Sequence, residues 1–505
     1  MAGEIQNSKI QNSKSIWGLF NKQKLSVCFA EVKNIGIFAT KLCIYNVAIR
    51  NMYKININNF RCYENTSMIF RRGINLLIGD NSVGKTSLLR ACNLVMNSFF
   101  CGYSDEYTTW KSAEDDDFRE IKNEDVATDE MPVSISFRLD NTDCPDIVLA
   151  DGSSMSLASF GSDGGENGPE LIIEKKSKKN SRNLITGLRP LKEYAAKLQK
   201  SSHAIHDGVA TQYNALPLFA YFTTEDIHSI RKFDKEKKEF KKYPQKPSFG
   251  YFESYDCRGL LDCWLKRLLV LKEAKKGEQE IECVRKAIAR VLGPSGCNII
   301  ADMEVRDNDN EVYFVFCDGR AVRSDFLSDG YRRLVSIVVD IAFRCVLLNK
   351  VMYGDEAYMH THGTVIIDEI DEHLHPELQV RVLKALHDAF PKLQFIVSTH
   401  APLVMSSVET NEDNVVYKLE YNNGVYSHTE LNTYGLDAST IMNLYMGQVS
   451  RDLAVDAQIK AIEHLIDEEK YPEARTSLDL MLAHPGSDAN PELSKLEATL
   501  SFFDE

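Results

Sequence analysis

A glycine-rich loop constrains the fold of this chain more than any other feature of its sequence. Residues 79–86, Gly-Asp-Asn-Ser-Val-Gly-Lys-Thr, fit the pattern G-x-x-x-x-G-K-[ST]. They follow a short apolar run at 74–78 and precede an amphipathic segment at 85–97. A strand, a glycine turn and a helix in this order direct main-chain N–H groups at phosphate oxygens. The pattern therefore predicts a phosphate-binding loop in a parallel α/β sheet.

The residues of this loop are expected to share the binding of a nucleotide. Lys85 is placed to reach the β- and γ-phosphates, and the hydroxyl of Thr86 is placed to bind Mg²⁺. The predicted nucleotide-binding residues of this segment are Gly79, Asn81, Ser82, Val83, Gly84, Lys85, Thr86 and Ser87.

A second apolar run ends in two carboxylates, Val365-Ile-Ile-Asp368-Glu369. Asp368 suits the outer shell of Mg²⁺, and Glu369 suits a general base that orients or activates the attacking water. Two acids after a strand are weak evidence alone, but a phosphate-binding loop upstream requires such a partner. The sequence therefore predicts Thr86 and Asp368 as magnesium ligands and Glu369 as a catalytic residue.

The segment 326–333, Phe-Leu-Ser-Asp-Gly-Tyr-Arg-Arg, precedes a helical pattern and resembles the L-S-x-G signature of ABC-type ATPases. The resemblance implies Mg·ATP as the cofactor. It also implies that Ser328, Gly330 and the helix N-terminus bind the γ-phosphate held by the opposite protomer. One chain could not then complete its own site, so a head-to-tail dimer or a higher homo-oligomer is expected.

Further positions match the same family in its usual order. Asp371 matches the D-loop, and His400, in Val397-Ser-Thr-His400, matches the switch histidine and is the second predicted catalytic residue. Arg61 resembles an arginine that approaches the nucleotide in the recombination-and-repair branch, although an ordinary surface arginine is the alternative.

Two departures from the family pattern affect the expected chemistry. No Gln lies between Thr86 and Lys197, and Gln199 and Gln212 lie in poor context for the family's magnesium-contacting Gln. That ligand is therefore left unassigned, and turnover is expected to be slow. Ser82 stands where relatives often have glycine.

Metal chemistry other than magnesium finds little support. The 12 cysteines contain no CxxC pair, which argues against a zinc ribbon and agrees with a reducing cytoplasm. His373 and His375 lie in a stretch that many members of the family carry without metal, although His360 and His362 are near in sequence.

Charge and hydropathy limit the partners. The formal net charge is -14, so binding to nucleic acid would need a local basic patch. Residues 175–182 and 231–246 could supply one, and nucleic acid is left open as a partner. The apolar stretch 25–49 contains Glu31, Lys33 and Lys41, so a membrane span is not expected.

The alternation of strands and helices predicts an α/β fold, and the resemblance to the ABC group implies an ATPase head with a mixed sheet flanked by helices. We expect an atypical extension at 1–51, with Met52 as a candidate true start, then the ATPase domain at 52–436 and a helical region at 437–505. Insertions are expected at about 104–131, 151–215 and 225–295, the first as an acidic surface segment. A helix is predicted at 376–390, and the dipeptides at 318–319 and 423–424 predict hairpins.

Within the ABC group, the chain most resembles ATPases of the overcoming-lysogenisation-defect group. The TOPRIM nuclease domain common there is not found after His400. The plan is instead similar to the PtuA-type ATPases of Septu and related retron-linked antiphage systems, which implies a separate HNH endonuclease as partner. A RecF-like DNA-repair ATPase and a nucleotide-sensing scaffold with little turnover are the alternatives.

Overall fold

The computed structural model describes residues 46–47, 51–123, 126–130, 132–140, 147–148, 154–155, 170–178, 186–206, 214–224, 237–306, 309–422, 424–447, 452–484 and 490–503. The predicted extension at 1–51 lies almost entirely outside these residues, and so does Gln212. Among the described helices, none is both long enough and apolar enough to cross a bilayer.

The strands, in chain order, are β1 (Asn46–Val47), β2 (Asn51–Phe60), β3 (Tyr63–Ile69), β4 (Ile74–Ile78), β5 (Glu120–Asn123), β6 (Val126–Glu130), β7 (Val133–Asp140), β8 (Ile147–Val148), β9 (Ser154–Met155), β10 (Leu171–Lys175), β11 (Asn214–Ala215), β12 (Leu218–Phe222), β13 (Ile300–Arg306), β14 (Glu311–Phe316), β15 (Ala321–Arg323), β16 (Gly363–Ile367), β17 (Leu393–Ser398), β18 (Val415–Asn422) and β19 (Val425–Leu431).

The α-helices are α1 (Lys85–Asn97), α2 (Arg189–His206), α3 (Lys237–Phe240), α4 (Leu261–Glu273), α5 (Glu278–Val291), α6 (Asp329–Tyr353), α7 (Ala357–His360), α8 (Pro376–Gln379), α9 (Val382–Ala389), α10 (Pro402–Ser406), α11 (Ala438–Tyr445), α12 (Leu453–Asp467), α13 (Tyr471–Leu482) and α14 (Pro491–Ser501).

A six-stranded sheet carries the phosphate-binding loop, in the order β12-β16-β17-β4-β18-β19. β19 is antiparallel to β18, and the other neighbours are parallel. Every residue of β4, β16 and β17 is buried, as expected for strands covered on both faces. Parallel strands end at the same edge, so the segments after these strands meet there. The predicted α/β fold with a mixed sheet is confirmed.

A four-stranded antiparallel sheet, in the order β10-β7-β2-β3, packs over α1. Met52, Ile55 and Ile57 of β2 are fully buried. Gln394 of β17 joins the two sheets. Its amide accepts from the Met52 N–H at 3.0 Å and donates to the Met52 carbonyl at 2.8 Å.

The long helix α6 runs through the core and is buried along most of its length. Its charged residues Asp340 and Arg344 pair with each other at 2.5 Å, and Trp264 donates to Asp340 at 2.7 Å. Arg344 also donates to the carbonyls of Gly250 and Phe252. These buried charges are thus paired and hydrogen-bonded, which offsets the cost of removing them from water.

The C-terminal helices α12, α13 and α14 pack around a second, small apolar core. Ile462, Leu478 and Leu496 are buried in it. Glu469 lies in the turn between α12 and α13 and has φ 58°. This core is separate from the large cluster that fills the ATPase region.

One local prediction holds only in part, and another was wrong. The acidic segment expected on the surface is exposed at Asp115 and Asp116, whereas Asp117, Ala113 and Phe118 are buried. The helix expected at 376–390 is two helices, because a turn at 380–381 separates α8 from α9. Both hairpins are observed, although Asn423 lies outside the described residues.

Candidate functional site

The phosphate-binding loop joins β4 to α1 in a conformation that requires glycine at two positions. Gly79 and Gly84 have φ 140° and 94°. A Cβ on Gly79 would lie 2.5 Å from the Leu419 carbonyl oxygen, and one on Gly84 would lie 2.6 Å from Tyr63 Oη. Ser82 has φ 71°, a left-handed conformation that glycine adopts with less strain than serine.

Lys85 holds the loop from inside. Its ammonium donates to the carbonyl oxygens of Gly79 at 2.7 Å and Asp80 at 2.9 Å. Burial lowers the pKa of Lys85 to about 8, although the nearby Glu369 and Asp368 carboxylates oppose this shift. The ammonium therefore lies at the start of the loop, poised to exchange these carbonyls for phosphate oxygens.

The other predicted loop residues line the outer side of the turn. The side chains of Asn81 and Thr86 are exposed, that of Ser87 is half-buried, and Val83 is buried beneath the loop. Thr86 is in the first turn of α1. Its hydroxyl is therefore accessible to a ligand at the helix N-terminus.

Asp368 and Glu369 follow β16, and one hydroxyl organises both. Ser398 Oγ donates to Asp368 Oδ1 at 2.5 Å and accepts from the Glu369 N–H at 2.8 Å. Ser398 was not predicted as a site residue, although it ends the strand next to β16 and directly precedes Thr399 and His400. Its position after a buried strand, beside the acidic pair, was the available signal.

Glu369 has the environment expected of a base. Its backbone has φ 49°, which turns the chain sharply at the end of the strand. Burial raises the pKa of Glu369, and the neighbouring carboxylates of Asp368 and Asp371 raise it further. A carboxylate with a raised pKa accepts a proton more readily.

Asp371 and His400 are held together by the strand-end threonine. Thr399 Oγ1 donates to Asp371 Oδ1 at 2.5 Å, and the His400 N–H approaches the same oxygen at 3.4 Å. Burial lowers the pKa of His400, and the positive charge of Lys85 lowers it further. The imidazole is therefore neutral near pH 7 and can accept or donate a hydrogen bond.

The signature segment lies at the N-terminus of α6. Ser328 occupies the N-cap position with no side-chain cap hydrogen bond, and its side chain is exposed. Phe326 beside it is 72% exposed. Gly330 packs so tightly that a Cβ would lie 2.3 Å from the His373 carbonyl oxygen. The N-terminus of α6 therefore faces solvent without a side-chain cap. On its inner side, Gly330 packs against the main chain of His373, which follows the D-loop residue Asp371.

Arg333, one turn into α6, binds the catalytic turn of its own chain. One guanidinium nitrogen donates to the carbonyl oxygens of Asp368 and Glu369, each at 2.8 Å, and the other pairs with Glu372. The side chain is 7% exposed. No role was predicted for Arg333, because nothing in the sequence pattern shows which way an arginine on a helix points.

Arg61 lies at the β2–β3 turn with φ 50°. Its Nε donates to Asp117 Oδ1 at 2.8 Å, and its N–H donates to the Asp117 carbonyl at 3.0 Å. Arg90 of α1 reaches the other Asp117 oxygen at 3.3 Å and stacks on Tyr255. Asp117 therefore holds two arginines close to the phosphate-binding helix.

The histidines considered as metal ligands have other contacts. His375 accepts from the Glu377 N–H at the start of α8, and His373 lies 3.7 Å from Glu372. Within the described ranges, no three His, Cys, Asp or Glu side chains gather as a metal site.

The donor set suits magnesium. Mg²⁺ prefers oxygen ligands and is usually held by one or two carboxylates, a hydroxyl and substrate phosphates. The exposed Thr86 hydroxyl and the buried Asp368 carboxylate offer this chemistry at one edge of the sheet. Gly79 and Gly84 let the loop pass close to Leu419 and Tyr63, where a Cβ would not fit.

The strand order and the phosphate-binding loop define the fold of a P-loop ATPase domain. In agreement, residues 52–249 match the family described as an AAA ATPase domain. Residues 195–406 match a second AAA domain family, whose description also mentions the AbiEii toxin of type IV toxin–antitoxin systems.

The chain is homologous to ATPases named for retron and Septu systems. It is 37% identical over 143 residues, 28% of this chain, to Retron Vc95 probable ATPase from Vibrio cholerae serotype O1 biovar El Tor. It is 33% identical over 156 residues, 29% of this chain, to Septu protein PtuA from Bacillus mycoides strain KBAB4. The alignments span 27% and 21% of those relatives.

A solved structure of an SMC head bound to the C-terminal winged-helix domain of ScpA also matches. It covers 76% of this chain and 98% of that chain at 14% identity, with a TM-score of 0.43. The fold assignment given above rests on the strand order and loop geometry of the protein itself.

Proposed function

We propose that the protein binds Mg·ATP between two copies of itself, arranged head to tail, and hydrolyses it slowly. The supporting observation is that Ser328 is presented to solvent at a helix N-terminus that has no side-chain cap. Lys85, Asp368 and Glu369 gather at one sheet edge, while Ser328 faces outward with its side chain free of the helix cap. A second copy would bring its Ser328 and α6 N-terminus to the γ-phosphate.

Each residue then has a distinct task. Lys85 neutralises charge on the β- and γ-phosphates, and Glu369, with its raised pKa, accepts a proton from the attacking water. His400 contacts the γ-phosphate as a neutral imidazole. Magnesium, held by Thr86 and Asp368, supplies charge neutralisation at the phosphates when it is bound.

Slow turnover is consistent with the sequence, because no glutamine is assigned to contact magnesium and the attacking water. Gln199 is on α2, and its side-chain amide donates to the Ser104 carbonyl at 2.8 Å. Because the side chain of Gln199 is already hydrogen-bonded to Ser104, Gln199 is not assigned as the residue that contacts magnesium and the attacking water. A scaffold that senses nucleotide occupancy with little turnover is therefore the second candidate.

The biological setting is proposed from the relatives' names. Septu and retron systems give the named homologues, and we propose that this chain likewise acts in antiphage defence, in the cytoplasm, with a separate HNH endonuclease. The ATP-bound dimer would restrain the nuclease, and loss of nucleotide or a phage cue would release it. The C-terminal helices α12, α13 and α14 are candidates for the partner contact, because they form a core of their own.

The two basic runs, at residues 175–182 and 231–246, give little support to a RecF-like role on DNA. Lys175 is buried, and its ammonium donates to the Ala113 carbonyl at 2.6 Å. Lys246 pairs with Glu106 and Lys242 pairs with Glu239. Residues 179–182 and 231–236 lie outside the described ranges. ATP-dependent binding of duplex DNA by the purified chain would favour this role.

The experiment that tests the proposal compares ATP turnover and oligomer size for the wild type, Lys85→Ala and Glu369→Gln. We expect slow turnover by the wild type, loss of nucleotide binding in Lys85→Ala, and an ATP-trapped dimer in Glu369→Gln. Tight binding without any turnover would instead establish the scaffold.

The nuclease partnership has its own test. The genes beside this one are searched for an HNH endonuclease, whose absence would itself count against the partnership. A nuclease found there is coexpressed with the wild type or Lys85→Ala, and copurification and DNA cleavage are measured with and without ATP. We expect a complex that cleaves less when ATP is present. Absence of a complex in either nucleotide state would contradict the partnership.

A further inference from the structure

The tip of the β18–β19 hairpin carries two tyrosines that the proposed catalytic site does not use. Tyr421 and Tyr426 are direct cross-strand partners, and their ring centroids are 4.6 Å apart at 41°. Tyr421 is 53% exposed, and Tyr426 is half-buried. Tyrosine rings exposed side by side at a hairpin tip offer a flat apolar surface with polar edges.

This pair lies beside the phosphate-binding loop. β18 is parallel to β4, with Lys418 in register with Ile78. The carbonyl of Leu419 approaches so closely that a Cβ on Gly79 would lie 2.5 Å from its oxygen. Because β18 continues to Asn422, Tyr421 lies past the carboxyl edge of β4, alongside the loop.

A third tyrosine joins the pair to the loop itself. Tyr63 Oη donates to the Gly84 carbonyl at 3.0 Å, and the Tyr63 ring meets the Tyr426 ring edge-on at 4.9 Å. Tyr63 is buried, Tyr426 is half-buried and Tyr421 is exposed. A continuous series of rings therefore runs from the N-terminus of α1 out to solvent.

We infer that Tyr421 and Tyr426 form a stacking surface for the base of the nucleotide whose phosphates bind at residues 79–86. This inference rests on the proposed nucleotide site and adds a base subsite to it. Phosphates at the N-terminus of α1 leave the ribose and base directed away from the helix, towards surface groups beside the loop. Every base has a π-face, and a purine, with the larger face, gains more from stacking than a pyrimidine.

The subsite gives the protein a means to distinguish a nucleoside triphosphate from an inorganic polyphosphate. The loop contacts phosphate oxygens alone, so on its own it would bind both. Stacking of the base needs the aromatic ring of Tyr421 but not its hydroxyl, so Tyr421→Phe should retain the stacking. Tyr421 is at the surface, and its removal should leave the fold intact.

The test measures the binding of Mg·ATP and of magnesium tripolyphosphate by calorimetry. The proteins are the wild type, Tyr421→Ala, Tyr421→Phe and the matched control Tyr434→Ala, whose ring is 55% exposed at another place. For Tyr421→Ala we expect an ATP dissociation constant about tenfold higher and unchanged tripolyphosphate binding. Tyr421→Phe and Tyr434→Ala should match the wild type with both ligands.

Two results would overturn the inference while leaving the phosphate site in place. One is unchanged ATP binding by Tyr421→Ala, and the other is an equal loss for ATP and tripolyphosphate, which would mean that the ring only supports the loop. A wild type that binds neither ligand would overturn the proposed nucleotide site and, with it, the base subsite.

Discussion

Arg333 donates to the main-chain carbonyl of Asp368 at 2.8 Å, and the same nitrogen reaches the next carbonyl along the chain at the same distance. The helix that begins at the signature is thereby tied to the turn that carries the proposed base. A shift of α6 when a second copy docks would be transmitted to that turn. Arg333 is thus a positioning residue, acting on Glu369 through its backbone.

Arg333→Ala is expected to impair both stability and turnover. The buried carbonyls of Asp368 and Glu369 would lose their donor, and Glu372 would lose its ion pair. Leaving such groups unpaired costs about 3 kcal/mol in the free energy of unfolding. Urea unfolding measures the loss of stability. The loss of positioning is measured as ATP turnover, which is expected to fall at least about tenfold.

The matched control for that change is Arg332→Ala. Arg332 is the adjacent residue on α6 and pairs with Asp262, which is 38% exposed. A surface pair of this kind contributes about 0 to 1 kcal/mol. If both alanine variants had the same stability and turnover, the positioning role of Arg333 would be excluded.

Asp117→Ala is expected to destabilise the protein because Asp117 bonds to two arginines. Its side chain is 0% exposed, and Arg90, its more buried partner, is 11% exposed. Removing the anion leaves a largely buried guanidinium short of a partner, at about 3 kcal/mol. Asp116→Ala, at an exposed neighbouring position, serves as the control and should unfold at the wild-type urea midpoint. Equal urea midpoints for Asp117→Ala and Asp116→Ala would show that the contacts of Asp117 with the two arginines do not stabilise the protein.

Gly330→Ala and Ser328→Ala should separate packing from nucleotide contact at the signature. A Cβ at Gly330 would lie 2.3 Å from the His373 carbonyl oxygen, and overpacking of this kind costs about 1 to 3 kcal/mol. Ser328 makes no cap hydrogen bond, so Ser328→Ala should change stability by less than about 0.5 kcal/mol. Turnover should fall in both variants. A Ser328→Ala protein with full turnover would remove that hydroxyl from the mechanism.

ATP affinity should depend on pH through Lys85. Burial lowers the pKa of Lys85 to about 8 in the free protein, so its positive charge is present below that pH and lost above it. Phosphate stabilises the charged form, and binding should therefore take up protons and weaken as pH rises through about 8. Calorimetry in buffers of different ionisation enthalpy counts those protons.

Lys85→Arg provides the reference for the pH experiment. A guanidinium stays charged throughout the range, so the variant should show a flat profile even if its affinity is lower. A wild-type dissociation constant that does not change from about pH 7 to about pH 10 would show that the ammonium is not titrating.

Much of the fold followed from local patterns in the sequence. The buried strand Ile74–Ile78, the helix Lys85–Asn97 and the strand before Asp368 were predicted because their apolar periodicity and flanking glycines are local signals. Parallel order then placed the ends of these strands at one edge. Chain-local information was sufficient for these elements.

The contacts that complete the site could not be predicted in the same way. Asp117 is in an acidic run that looks solvated, and only the three-dimensional fold brings it to Arg61 and Arg90. Ser398 and Arg333 act on residues that are distant in sequence or on another element. Side-chain direction and long-range pairing decide these roles, and neither leaves a local pattern.

The most direct test of the central claim is complementation between two inactive variants. Lys85→Ala removes phosphate binding, and Ser328→Arg blocks the signature at the opposite face of a head-to-tail dimer. In a mixed dimer, one composite site combines the intact loop of the Ser328→Arg chain with the intact signature of the Lys85→Ala chain.

We predict that neither variant alone hydrolyses ATP and that an equal mixture recovers about a quarter of wild-type turnover, since half of the dimers carry one intact site of two. The two variants are mixed without ATP so that their subunits can exchange, and ATP turnover is then measured. The urea midpoint of each variant checks that it is folded. An equal mixture as inactive as its components, or full turnover by Ser328→Arg alone, would contradict a site shared between two copies.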